Sequence, residues 1–497
     1  MKRNYDLIVA GAGAAGCLLA ARIAEHGRRP GSGEPLRVAL VEAGPYWRGD
    51  NRPGYGNPQR RAANCFINYE MDPALYWPWG RARMVGGSMM RYATFMVRRE
   101  CLFDDDYQAW QQETGVDWTK ERLREAVLET QTVRNLSFAP EAVLTRGNQL
   151  FLAAARDHGV DVQRMAIART NCLFCGRCDS GHVCKYDARG NSQPYIDLAE
   201  RLGVDIVADA EIQRVAIEKR NRVPTAYGVV VQRQGRSELL TGDKVMVSCG
   251  FMGSPVLLMK SGYGAKNKVP VPVLAENPNV GRHLEGDLNF PVHALFDEPI
   301  KPPGGASTGA SYVRQDVMQG GEQRLILQDH GMSVITYPHE AALNDLAPAF
   351  GWAHKEYMRN AITRLGGLYP FIERPGLKGE VDVNGRTEFP GDDPRLLARM
   401  NDAIDLATAL LKRMGAVKIA QRRPRRLSPW HQVGTCRAGL NRRDSVVNEH
   451  FESHDVKNLF VCDGSVLPRQ GSTFVAAAIV TIAAFAARRI VARHFNG

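Results

Sequence analysis

Two groups of residues in this chain have types and spacing that could do chemistry. The first is Gly11-Ala12-Gly13-Ala14-Ala15-Gly16, a G-x-G-x-x-G run. Such a loop works through its backbone. The first glycine permits a tight turn, the second lets a pyrophosphate approach the main chain, and the third lets the next helix lie against the strand. The helix N-terminus then faces the phosphates with unpaired N–H groups. The second group is Cys172, Cys175, Cys178 and Cys184, spaced C-x2-C-x2-C-x5-C. Three thiolates at that pitch can wrap an iron–sulfur cluster of the 3Fe-4S or 4Fe-4S type. Zinc prefers two separated pairs and fits the triple run less well. His182 stands inside the last gap, and free or structural thiols are the third reading.

These groups need elements to hold them. Residues 5–10 (YDLIVA) are a short run of strand formers leading into the glycines, and residues 17–27 (CLLAARIAEHG) read as a helix closed by Gly27. After the polar insert RRPGSGEP, residues 37–41 form a second strand that ends in Glu42 and Ala43. This is a βαβ unit, and a carboxylate at the end of its second strand can accept hydrogen bonds from an adenosine ribose. Strand-like runs return at 205–210, 226–232 and 244–248, and residues 117–135 look helical. A further helix is expected over 394–414, capped by Asp393, started by Pro394 and closed by Gly415.

With 497 residues the chain has room for more than one domain and for a large cofactor. Its 64 Lys+Arg against 53 Asp+Glu give a net charge of +11, with no lysine-rich tract or nucleic-acid motif. Nucleic acid is therefore set aside as a partner. Ten cysteines are too sparse for a disulfide scaffold. The first residues imitate a signal peptide, but their apolar run holds the glycine loop. The apolar stretch 474–487 is too short to span a bilayer and reads as a buried helix. No direct membrane span is expected.

Five ordered blocks carry a resemblance to the glucose–methanol–choline (GMC) oxidoreductases, FAD enzymes that oxidise alcohols and sugars. They are the βαβ unit; residues 80–88 (GRARMVGGS); residues 250–264 (GFMGSPVLLMKSGYG); residues 279–284 (NVGRHL), with Asp287 where the family's usual histidine lies; and WHQVGTC (430–436) with NLFVCDGS (458–465). The resemblance implies an α/β fold, with a Rossmann-like FAD-binding domain of the glucose-oxidase type and an α+β substrate domain containing an antiparallel sheet. The FAD domain would come from residues 1–165, 196–290 and 431–497, the cysteine insert from 166–195 and the substrate domain from 291–430. FAD would be held by Gly11, Gly13, Ala14, Ala15, Gly16, Glu42, Ala43, Arg81, Val85, Gly86, Gly87, Ser88, Ile212, Cys249, Gly250, Asp463 and Gly464. No histidine occurs between His26 and His158, so the FAD is expected to be non-covalent.

In this family His431 would be the catalytic base, taking the hydroxyl proton while hydride leaves for flavin N5. The usual second catalytic His or Asn is replaced by Phe474, so either His431 works alone or Thr473 or Gln470 assists it. That departure keeps a non-redox lyase in view, and it also suits an aromatic or apolar substrate. The cysteine insert is similar to those of the large flavoprotein subunits of gluconate, glucose, fructose and sorbitol dehydrogenases. A cluster there implies a dehydrogenase passing electrons to a cytochrome or another acceptor, with a small chaperone-like subunit as a further partner; without one, an oxygen-using oxidase is the alternative. The expected location is cytoplasmic, or periplasmic by co-export with a signal-bearing partner. His330, Tyr337, His339 and His354 are candidates for the substrate pocket, and the basic run 422–426 (RRPRR) for a solvated loop.

Overall fold

The computed structural model describes residues 4–47, 69–71, 80–90, 95–96, 102, 104–160, 164–174, 188, 190–300, 312–317, 324–330, 346–348, 351–373, 376–427, 429–471 and 475–496. Two sheets organise the chain. In the first, the strands run in the order Asp205–Val207, Val38–Val41, Asn4–Ala10, Arg236–Val247, Val223–Arg233, Glu211–Arg220, and Leu459–Val461 pairs onto Arg236–Val247. The pairings among the 205–207, 38–41, 4–10, 236–247 and 459–461 strands are parallel, so their carboxyl ends share one edge. The 211–220, 223–233 and 236–247 strands form an antiparallel meander. Its two-residue turns put Asn221, Arg222, Gln234 and Gly235 at positive φ, as the tightest hairpins require. The strand cores are fully buried Leu7, Ile8, Val9, Ala39, Leu40, Val245 and Val247, matching the continuous apolar runs that a covered parallel sheet needs. The helices Ala14–His26 and Ala476–His494 belong to this core; the second is the apolar C-terminal stretch, buried as expected.

The second sheet is antiparallel. Its central strands are Arg324–His330, Leu365–Ile372 and Arg282–Asn289, with Val292–Phe296 and Pro429–Val433 paired at its flanks. One face is apolar: Leu288, Val292, Ala294, Leu325, Leu327, Leu368 and Ile372 pack with Leu396, Met400, Ile404 and Leu411 of the helix Pro394–Arg413. Phe151 and Ala154 of the helix Arg146–Asp157 join the same core. Period-2 alternation then sends Glu285, Asp287 and Asn289, and Tyr369, Phe371 and Glu373, to the opposite face. That face is buried too, yet polar. Among the described residues no helix is long and apolar enough to cross a membrane.

Candidate active site

The glycine loops assemble at the carboxyl edge of the parallel strands, where ligands of such sheets bind. Gly11, at φ +100°, turns the chain so tightly that a Cβ there would lie 2.5 Å from the Ser248 carbonyl oxygen. Gly16 lies against the Gly11 carbonyl. Gly13, by contrast, faces open space and starts the helix Ala14–His26, with no side-chain cap and no acidic residue in its first turn. The first N–H groups of that helix have no intrahelical partner. The open side of Gly13 and this uncapped turn fit a dinucleotide pyrophosphate.

The second glycine signature is locked onto the first. Gly86 N–H donates to the Ala12 carbonyl at 2.7 Å, and Gly87 lies so close to Gly13 that a Cβ would come 2.8 Å from its Cα. Ser88 Oγ accepts from Ala82 N–H, and Val85 N–H donates to the Pro45 carbonyl. Glu42 accepts from Ala12 N–H and Gly44 N–H, both at 3.0 Å, which fixes the carboxylate at the strand end beside Ala43. Ala210 N–H donates to the Glu42 carbonyl, and Ile212, two residues on, packs partly buried against the core of this sheet. Asp463 is a staple: it accepts from Gly250 N–H at 2.8 Å, from Ser254 Oγ at 2.5 Å and from Ser465 N–H at 2.7 Å. Cys249 Sγ donates to the Ala10 carbonyl. Gly464 follows Asp463 in the same buried turn. Cys17, near Glu42, donates to Ala12; burial, with that negative charge, pushes its thiol up to about 12, so it stays protonated.

His431 lies in the strand Pro429–Val433, which pairs with Arg282–Asn289 across a register irregularity between Glu285 and Asp287. Its φ is +49°, a left-handed conformation that residues with a Cβ rarely adopt and that clusters at functional sites. The ring is a quarter exposed, and its Nδ1 lies 2.7 Å from Oδ2 of the fully buried Asp287. Burial works against the imidazolium. The charge and hydrogen bond of Asp287, with Glu373 further off, outweigh it and hold the pKa above the ordinary histidine value. Burial and nearby cations instead push His283 down to about 3, and burial alone does the same to His293. Among the described histidines whose ionisation is shifted, His431 alone is made more basic.

Around His431 the polar face of the second sheet is charged and aromatic. Phe371 and Trp430 have ring centroids 6.1 Å and 6.4 Å from that of His431. Arg324, 1% exposed, donates to Glu373 at 2.7 Å, to Asp105 at 2.9 Å, to Asp106 and to the Gly471 carbonyl at 3.1 Å. Burial opposes its charge, but these carboxylates keep it protonated. Glu285 meets Lys378 at 2.9 Å and Arg469 at 3.5 Å, and the Gln470 N–H donates to it. Residues 469–471 are thus anchored immediately before Thr473 and Phe474.

Thr473 and Phe474 themselves lie outside the described residues, as do the Arg81 and His330 side chains, Tyr337 and His339. His354 sits on the helix Gly351–Ala361, with Nδ1 2.6 Å from the Pro348 carbonyl. Arg423 and Arg426 of the basic run bond Asn401 and Phe389 carbonyls. Of the expected metal ligands Cys172, Cys175, Cys178 and Cys184, only Cys172 is described and the other three lie outside the described residues; among the described residues no cluster of His, Cys, Asp or Glu could hold a metal. Its Sγ accepts from Phe174 N–H at 3.4 Å, with Arg169 at 3.5 Å. Sequence reading missed the roles of Asp287, Glu373 and Arg324. The alternation Glu285-x-Asp287-x-Asn289 in a strand was the available signal.

Residues 5–288 match the N-terminal family model described as GMC oxidoreductase, and residues 390–483 match the C-terminal one. An alcohol dehydrogenase (acceptor) of Pseudomonas putida is 24% identical over 98% of this chain and 96% of its own. A pyridoxine 4-oxidase of Microbacterium luteolum is 25% identical over 97% of this chain and 98% of its own. The crystal structure of a pyridoxine 4-oxidase from "Mesorbium loti" has the same fold, with a TM-score of 0.72 over 99% of this chain and all of that one, at 20% identity.

Proposed function

This chain belongs to the GMC oxidoreductase family, FAD-dependent enzymes acting on CH–OH groups, and from that premise we propose that it oxidises a small-molecule alcohol with His431 as base and Asp287 as its positioning partner. FAD bound in the glycine cradle supplies the acceptor for two electrons and the carbinol hydrogen. The observation that carries the reading is the 2.7 Å contact between His431 Nδ1 and buried Asp287. In neutral His431, Nδ1–H donates to Asp287 and Nε2 keeps the lone pair that takes the hydroxyl proton. Asp287 also stabilises the imidazolium formed, and burial on the face of the sheet restricts water.

Reduction of the bound flavin by alcohol under anaerobic conditions tests the reaction. His431→Gln should slow it by about 10²- to 10⁴-fold while the flavin stays bound. A flavin that stays oxidised while substrate is consumed would sink oxidation and favour the lyase. The electron exit is a separate proposal. A Cys-ligated relay to a cytochrome or other acceptor rests on the C-x2-C-x2-C-x5-C spacing alone. Iron and acid-labile sulfide in the purified protein would support it, and their absence with brisk peroxide formation would replace it with an oxidase. Non-covalent attachment is checked by whether acid precipitation releases the flavin.

A further inference from the structure

One group on the catalytic face has no part in the proton transfer. Asn289 ends the strand Arg282–Asn289, two positions beyond Asp287, so both side chains leave the same face. Its side chain is buried, the residue 7% exposed, and neither Nδ2 nor Oδ1 has a hydrogen-bond partner among the described residues. Native proteins keep few such groups, because a buried amide without partners is destabilising. In the sheet Asn289 stands opposite Phe371, the residue whose ring neighbours His431. Phe371 belongs to a buried cluster with Met165, Ile326 and Tyr369, packed against half-buried Trp430. The Tyr369 and Phe371 rings stack at 6.1 Å. The base is thus flanked by an aromatic wall, and the wall is edged by a donor and an acceptor that no described residue satisfies.

From this juxtaposition, and resting on the oxidation proposed above, we infer that Asn289 is a specificity-determining residue for an aromatic alcohol bearing a hydroxyl on its ring. The wall takes the ring in stacked or edge-on contact. The ring hydroxyl, itself donor and acceptor, donates to Oδ1 or accepts from Nδ2. The hydroxymethyl group is then left for His431. A site built to bond a substrate hydroxyl rejects the analogue that lacks it, since the amide then stays buried and unpaired. Plain apolar walls would give no such discrimination.

The test uses the FAD-loaded full chain, with benzyl alcohol, its 2-, 3- and 4-hydroxy derivatives and butan-1-ol as anaerobic reductants of the flavin. The wild type should favour one hydroxybenzyl alcohol over benzyl alcohol by about tenfold or more in second-order rate constant. Asn289→Leu should collapse that preference to about threefold or less while raising the melting temperature, because an apolar side chain of similar volume replaces an unsatisfied amide. A purely structural amide gives the opposite pattern, a lower melting temperature and an equal proportional loss on every alcohol; that result overturns the assignment. Should the Leu variant fail to fold, Asn289→Ala removes both the donor and the acceptor, and an unchanged hydroxybenzyl preference there also overturns it. Flavin reduced by butan-1-ol but by no aryl alcohol removes the role of Asn289 and leaves the oxidation standing. Flavin reduced by none of them removes both.

Discussion

The proposed cofactor cradle and the proposed catalytic face are built from different parts of the chain's chemistry. In the cradle the working surface is backbone: Gly11, Gly13 and Gly87 bring main chain from distant loops within van der Waals contact, and Gly44 lies against the Arg83 carbonyl. On the catalytic face the strands are ordinary, and the chemistry sits on side chains delivered by four strands. His431 and Asp287 meet across 144 residues of sequence. Adding an atom should therefore break the cradle, while removing a charge should break the face.

The largest effect is expected from Gly87→Val. Its φ of +60° is unfavourable for a β-branched residue, and the new Cβ would press on Gly13 where the pyrophosphate belongs. The variant should purify without the flavin absorbance and show no alcohol oxidation even with added FAD. A Gly87→Val protein that retains stoichiometric FAD would refute the claim that backbone makes the working surface of this site. His431→Gln comes next, with its large loss of rate but an unaltered flavin spectrum. Together the two variants separate cradle from face.

Asp287→Asn sharpens the comparison further, because it leaves the shape of the face and removes one charge. The base must be neutral to accept a proton, so kcat/KM should be low in acid and rise with pH through the His431 pKa. In the wild type Asp287 and Glu373 place that inflection above the ordinary histidine value, against the opposing effect of burial. In Asp287→Asn the inflection should fall, and the plateau should drop by about 10- to 100-fold as the imidazolium loses its partner. Measured pH profiles of both proteins check this. An inflection that does not move would detach Asp287 from the base.

The same contrast explains what the sequence made legible. A backbone site is written as glycines at fixed local spacing, so the βαβ unit, Glu42 and the Gly86-Gly87 turn could be read directly. The helix at Pro394–Arg413 was equally plain: Asp393 accepts from Arg395 N–H, and Gly415 has φ +90°. The catalytic face gave less, because its partners are set by strand register. Nothing local to Asp287 says that a bulge will place His431 Nδ1 upon it, or that Arg324 will bridge Asp106 to Glu373. The FAD-sheet strands near 205, 226 and 244 were recognisable as apolar runs. The buried polar face of the second sheet has no such signature, since burial there runs against residue type.

The smallest effect tests whether the apolar face of the second sheet is only a support. Thr145 caps the helix Arg146–Asp157: its hydroxyl accepts from Asn148 N–H, and the Asn148 side chain accepts from the Thr145 N–H in return. That helix places Phe151 and Ala154 against the sheet from behind. Thr145→Ala removes half of the reciprocal cap and should cost about 1 kcal/mol. In urea the unfolding midpoint should fall with an unchanged slope, while FAD content, kcat/KM and the pH inflection stay as in the wild type. If the rate or the inflection moved with the midpoint, the layer behind the sheet would be tuning the base, and the division between a supporting and a chemical face would fail.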